Sequence, residues 1–447
     1  MVTEVKKPKP INRLKSMYAL RALVDGMYER AAEAAKEGRP VVWSMVNWWE
    51  GDIILKAMDI NVVYPEDYGA VCAAFGAAPA YLERCDSDGF PSHMCGYARN
   101  GIGYASMMTD MGQIPPDTPM GGMPKPTLLL CSGSLCDARY KWFQSLGRYL
   151  DAPVWTLEIP HPGVKESRME MAYEHDISFM VAELREFVTY LERLFNKKLN
   201  WDRLDELVND VIEMNRIWHE VNELRKAKPC PMHARDFWSS MPASLYLAAD
   251  PKITKDLYQK MYDEVKERVD NGIGALPVEE RYRLAFIELP PWHSLKFFDR
   301  LAEWGWNFVY ESWNYHPPKP IDLNHVSDPL ERISQYTYQW FTGYFEGALE
   351  AEEWWGYFAY PYMEKIEEYQ CDGVALHPLL TCRTATNHLM LVQDRLMKKL
   401  DVPSLVLEGD IVDLKLFDPE DALRKAEAFE ESMNHYRDVR KKKGLSW

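Results

Sequence analysis

One strand-to-helix plan is written twice in this chain, and that duplication constrains the fold more than any single motif. The first copy runs LLLCSGSLC, a helical pattern, then LDAPVWTLEIP; the second runs VALHPLLTC, a helical pattern, then LDVPSLVLEGD. In both, a cysteine closes the loop after the strand eight positions past the apolar start, Leu128 to Cys136 and Val374 to Cys382. Continuous apolar strands alternating with helices need cover on both faces, which a parallel sheet between helical layers supplies. PVVWSMV, INVVYPE, RLAFIELPPW and WNFVYESW read as further strands of the same kind. The expected fold is therefore α/β: two Rossmann-like parallel-sheet domains related by an internal repeat, with helical N-terminal and middle segments.

The expected boundaries follow the changes of pattern. Residues 1–38 form an N-terminal helical segment and 39–168 the first α/β domain. Residues 169–280 form a helical insert, and 281–447 the second α/β domain with a C-terminal helix. In the insert, Ile177, Val181, Leu184, Val188, Leu191 and Phe195 recur at helical spacing, until KPCPMH breaks the pattern. Packing accounts for this segment, and no chemistry is assigned to it.

Charge and hydropathy exclude several classes. A net charge of -16, from 52 Lys and Arg against 68 Asp and Glu, opposes sequence-independent attraction to nucleic acid. The basic tail RKKKG reads as a solvated helix end. No apolar run approaches the roughly 18 residues of a membrane span. The N-terminal stretch lacks the apolar core and cleavage site of a secretory signal, so the expected compartment is the cytoplasm. There is no GxxxxGK[ST] or GxGxxG phosphate-binding pattern, so ATP chemistry is not expected on this chain.

Eight cysteines, with no CxxC pair, favour thiols, catalytic sites or metal sites over disulfides in a reducing compartment. Cysteine is among the most buried residue types, and core packing suits Cys72, Cys85 and Cys230. Cys131 lies inside a strand, where the repeat places His377, and reads as core or as a neighbour of a site. Cys136 and Cys382 differ, because both sit at the carboxyl edge of a strand, where ligands of open α/β sheets gather. Each reads as standing at a helix start, whose unpaired amides favour a thiolate. Cys95, in the glycine-flanked loop GFPSHMCGYARNG, can converge on them if that loop folds over the sheet edge. Three separated thiolates suit an iron-sulfur cluster with one iron left open. Zinc is the weaker alternative for want of a close ligand pair, and a nucleophilic cysteine with His93 or His377 as base stays open. The aromatic residues, Trp48 and Trp49 among them, read more readily as core than as the wall of a dry pocket.

At HMCGYAR, LLLCSGSLCD, DGVALHPLLTCR and PSLVLEGDIVD the chain resembles the benzoyl-CoA reductase and 2-hydroxyacyl-CoA dehydratase family, in its larger subunit type, over nearly its whole length. The resemblance implies one [4Fe-4S] cluster held by Cys95, Cys136 and Cys382. It also implies a smaller, related partner subunit with its own cluster, an acyl-CoA substrate, and a separate ATP-hydrolysing iron-sulfur activator that supplies a low-potential electron. The closer resemblance is to the larger (B-type) subunit of an ATP-dependent benzoyl-CoA reductase, which dearomatises the ring to a dienoyl-CoA. The alternatives are a radical 2-hydroxyacyl-CoA dehydratase, or an electron-relay or scaffold subunit whose partner binds substrate. No catalytic acid or base is assigned; His377, Glu408 and Asp410 lie near the expected edge.

Overall fold

Two four-stranded parallel sheets with the same strand order form the frame of the computed structural model. It describes residues 10–46, 49–133, 136, 138–160, 170–246, 250–313, 322–350, 359–445 and 447. The first sheet holds β1 (Val41–Ser44), β2 (Asn61–Val63), β3 (Leu128–Ser132) and β4 (Val154–Leu157) in the order β2-β1-β3-β4. The second holds β5 (Tyr282–Ile287), β6 (Trp306–Glu311), β7 (Gly373–Leu376) and β8 (Ser404–Val406) in the order β6-β5-β7-β8. Val42 pairs with Leu128 in one, and Phe286 with Ala375 in the other. Every residue of β1, β3, β5, β6 and β7 is buried, as helices covering both sheet faces require. A large side chain moved from water into such a layer contributes roughly 1.5–3 kcal/mol.

The helical readings hold at both ends. Helix Lys15–Lys36 buries Leu20, Val24, Met27 and Ala31 on one stripe. In the insert, Asn200 caps Trp201–Leu224 by accepting the Arg203 amide at 3.0 Å, and this helix packs along Pro251–Asp270. The break at KPCPMH is real, and its non-helical turn leads into Ala234–Ser240. A buried ion pair, Arg225 to Glu311 at 2.6 Å, fastens the insert to the end of β6.

Two expectations are corrected. Arg440 of the basic tail is buried, with its guanidinium over the Trp447 ring and against Asp372, so only the lysines that follow it are solvated. The helix expected directly after Cys382 begins at Leu389; residues 384–388 form turns instead. Thr384, Thr386 and Asn387 compete for backbone hydrogen bonds and favour such turns over helix.

Candidate functional site

The carboxyl edges of the two sheets open onto one cavity of about 340 Å³. Val46 reaches it from just past β1, Cys136 from past β3, Glu288 from past β5, Trp313 from past β6 and Cys382 from past β7. Parallel strands leave their loops at this edge, so the topology alone brings distant segments together. The volume lies at the lower end of the range for small-molecule sites.

Cys95, Cys136 and Cys382 all line this cavity, each partly open to it. Cys95 stands at the N-cap of helix Gly96–Met111, and the amide of Ala98 faces its sulfur. Burial pushes the Cys95 thiol up strongly, and the nearby Cys382 and Cys136 add to the rise. Burial also pushes Cys382 up to about 11, against the pull of the Ala385 and Thr384 amides; Cys136 and Glu288 raise it further. Helix and turn amides are thus present, but they do not outweigh desolvation and mutual repulsion. Left to themselves the Cys95 and Cys382 thiols keep their protons, and a bound cation is what would release them. Arg139 lies within electrostatic reach of Cys136; its guanidinium is buried and bonded to the Val46 carbonyl at 3.0 Å and to Glu66 at 3.1 Å. Among the described residues, no three His, Cys, Asp or Glu side chains form a group that could hold a metal ion.

A clasp between the two halves sets the thiol positions. The Gly96 amide donates to the Thr381 hydroxyl at 3.3 Å, and that hydroxyl donates to Asp410. Asp410 also accepts the amides of Val412 at 2.9 Å and Asp413 at 2.8 Å. One turn along the same helix, Arg99 bridges Asp413 at 3.0 Å and Asp86 at 2.8 Å. The residue after Cys95 is thereby bonded to the residue before Cys382. Farther along, Gly103 lets the helix cross Ala78–Ser87, since a Cβ there would lie 1.8 Å from the Tyr81 carbonyl oxygen.

Much of the remaining wall is apolar and aromatic. Trp238 and Tyr246 come from the insert, Trp292 and Trp313 from loops after the β5 and β6 strands, and Trp340 from helix Pro329–Glu350. The insert therefore does more than pack. Trp49 is core: fully buried, with its indole N–H donated to the Ser244 carbonyl and its ring against Tyr336. Trp48 lies outside the described residues. Cys131 is buried within β3 and does not line the cavity, and Cys72, Cys85 and Cys230 are buried in the core.

Of the residues noted at this edge, His377 is buried and does not line the cavity, its Nδ1–H on the Leu289 carbonyl at 2.6 Å, and Glu408 is exposed. Asp410 belongs to the clasp. His93 does not line the cavity. Polar residues that line it and escaped the sequence reading include Glu66, Arg139, Glu288 and His388, the last two with Oε1 and Nε2 3.2 Å apart. The available signal was Glu288 directly after the apolar run LAFI, where a carboxylate has no packing reason to be.

The family model described as 2-hydroxyglutaryl-CoA dehydratase, D-component, matches residues 52–433. Curated relatives include the (R)-phenyllactyl-CoA dehydratase alpha subunit of Clostridium sporogenes, 24% identical over 92% of this chain and 93% of its own length. The (R)-2-hydroxyisocaproyl-CoA dehydratase alpha subunit of Clostridioides difficile is 23% identical over 88% of this chain and 90% of its own. A benzoyl-CoA reductase subunit of Thauera aromatica is 24% identical over 93% of each.

Proposed function

Because the chain belongs to the 2-hydroxyglutaryl-CoA dehydratase D-component family, we propose that it is the cluster-bearing subunit of an enzyme that acts on an acyl-CoA thioester. Cys95, Cys136 and Cys382 hold a [4Fe-4S] cluster in this reading. The observation that carries it is that three cysteines from three remote stretches of sequence line one cavity and each other's field. The donor set fits: a cubane takes its thiolates at separate iron corners, farther apart than the ligands of one ion, and three donors leave one corner open. When bound, such a cluster supplies single low-potential electrons to the substrate.

The chain's own residues do the rest. The aromatic walls exclude water and seat an apolar acyl group, Arg139 stands as a fixed cation beside Cys136, and the Gly96–Asp410 clasp holds two of the thiols in register. A substrate-sized cavity against the thiols supports a catalytic role over a pure relay.

Dehydration of a 2-hydroxyacyl-CoA with an apolar acyl chain is the reading we favour. It is supported by the apolar cavity together with relatives named for phenyllactyl and 2-hydroxyisocaproyl thioesters. Reduction of an aromatic acyl-CoA, the reaction expected from sequence, keeps the support of the benzoyl-CoA reductase relative at the same 24% identity. Under either reading the chain works with a smaller, related cluster-bearing subunit and a separate ATP-hydrolysing iron-sulfur activator; relatives named as subunits support the first of these. The shared strand order supports two Rossmann-like domains, 39–168 and 281–447, related by a repeat. Eight free cysteines support a cytoplasmic setting, and among the described residues no helix is long and apolar enough to cross a membrane.

Anaerobic purification with its partner tests the cluster: the expected result is a brown protein with roughly four irons on this chain, the content of one [4Fe-4S] cluster. A colourless, iron-free protein overturns it. Assays of 2-hydroxyacyl-CoA and benzoyl-CoA side by side, with activator and ATP, decide the reaction. Turnover of benzoyl-CoA alone reverses our preference.

A further inference from the structure

Glu288 and His388 form a polar pair in the cavity wall, beside the rings of Trp313 and Tyr362. Both are buried, Glu288 at 3% and His388 at 8% exposure. Glu288 directly follows β5 with a φ of 81°, a backbone conformation rare outside glycine, and its amide donates to the Ser312 hydroxyl at 2.9 Å. Its Oε2 accepts the Trp313 indole N–H at 3.1 Å, which leaves Oε1 facing His388. His388 stands at the N-cap of helix Leu389–Arg395, and its Nδ1 lies 3.3 Å from the Thr384 carbonyl oxygen. A carbonyl only accepts, so Nδ1 carries a hydrogen, and Nε2 is the nitrogen that exchanges a proton. It lies 3.2 Å from Glu288 Oε1. At that separation a hydrogen on Nε2 faces the carboxylate at ion-pair distance.

Cys382 feels the charge of Glu288, which places the pair beside the thiol wall. Among the residues that line the cavity, the other carboxylates have different surroundings: Glu66 is tied to Arg139 and the Val46 amide, Asp67 to the Tyr28 hydroxyl, and Asp25 to Arg21. We propose that His388 is the acid–base residue of this cavity and Glu288 its positioning partner, acting on the hydroxyl and the C3 hydrogen of a 2-hydroxyacyl thioester. This rests on the dehydratase reading above. The loss of water is redox-neutral overall: the C2–O bond breaks with its electron pair on oxygen, which takes a proton from the pair and leaves as water. The C3–H bond breaks with its electron pair entering the new C2–C3 double bond, and that proton restores the pair. The electron that starts turnover comes from a low-potential iron-sulfur donor protein and is returned at the end, so none is consumed.

The test uses the anaerobic complex with its partner subunit and activator, as wild type, His388→Gln, His388→Ala and Glu288→Gln. Iron content, visible absorbance and acyl-CoA affinity, measured by calorimetry without ATP, are expected to match wild type. For the His388 variants kcat is expected to fall roughly 10²- to 10⁴-fold, the usual worth of a placed acid–base group. Added imidazole is expected to restore part of the His388→Ala rate, because the deleted ring leaves space in the cavity. Glu288→Gln is expected to lose less than either His388 variant. The proposal falls if the His388 variants keep kcat within about threefold of wild type, far below that usual worth. It also falls if their loss only follows lost iron or lost acyl-CoA binding. A wild-type complex that dehydrates no 2-hydroxyacyl-CoA removes the reading beneath the proposal, a result distinct from active variants beside an active wild type.

Discussion

Gly96 and Asp410 stand so close that a Cβ on the glycine would lie 2.6 Å from the carboxylate Oδ1 and 3.0 Å from the Val412 Cβ. The contact joins the helix that begins at Cys95 to the loop after β8, so it fixes one thiol against the other half of the molecule. Asp410 cannot give way freely, because its carboxylate is held by two backbone amides and the Thr381 hydroxyl.

Gly96→Ala should therefore cost about 1–3 kcal/mol, the usual range for an added methyl group in a packed site. Urea unfolding measures the stability. Iron bound after anaerobic purification should fall as well, since the methyl group pushes Cys95 away from Cys382. An alanine variant with wild-type stability and iron would show that the clasp is looser than its geometry.

The ion pair of Arg225 and Glu311 is buried on both sides, with the guanidinium also 5.0 Å from the centre of the Phe237 ring. Burial pushes the Glu311 carboxyl up, and Arg225 pulls it back. Removing either partner strands the other, so Arg225→Met or Glu311→Gln alone should lose about 3–5 kcal/mol. Replacing both, as Arg225→Met with Glu311→Leu, should recover most of that loss, because two apolar groups leave no charge to desolvate. A double-mutant cycle by denaturant unfolding gives the coupling. Strict additivity would mean that the pair does not fasten the insert to β6.

His377 sets a pH dependence. Burial holds its imidazole down to about 4, while the Leu289 carbonyl and His293 act as smaller, opposed influences. An unfolded histidine takes a proton near pH 6.5, the folded one only near 4. This part of the stability is therefore complete above pH 6.5 and is lost as pH falls toward 4. His233, held near 3 by burial, acts in the same direction. Asp67 opposes them: burial raises it to about 7, so its contribution weakens as pH rises from about 4 to 7. Comparing wild type with His377→Gln at about pH 7 and about pH 4.5, on either side of most of that titration, isolates the first effect. The variant should lose less stability on acidification, by an amount on the order of 2 kcal/mol. Equal losses would place the proton elsewhere.

The strands were legible because apolar runs such as LLLC and LAFI have no other economical place than the middle of a covered sheet. Cys136 and Cys382 were legible for the same reason: a residue just past a parallel strand has to lie at the carboxyl edge. Cys95 was harder, since only its glycine-flanked loop hinted at close approach, and the clasp from Gly96 to Thr381 spans 285 positions of sequence. Glu288, His388 and Trp238 went unread for a related reason. Local periodicity reports which face of an element is apolar, whereas a cavity wall is assembled from segments that share no period. Arg440 misled because a run of basic residues reads as solvated, and only the fold shows the Trp447 ring beneath its first member.

Cys131 and Cys136 make the final comparison, because they are five positions apart and differ in everything the site requires. Cys131 lies inside β3, in register with Thr156 of β4, fully buried; burial pushes its thiol up to about 12 despite the pull of Arg139. Cys136 lies past the strand end and lines the cavity. Cys136→Ala should leave the fold in place and remove the bound iron, as should Cys95→Ala and Cys382→Ala. Cys131→Ala should keep the iron and cost about 1 kcal/mol for the small cavity it leaves. Iron content and urea unfolding of all four variants, prepared anaerobically, separate the two roles. If Cys131→Ala were the variant that lost iron, the strand would have to open for its sulfur to reach the cavity, and the assignment of Cys136 would pass to it.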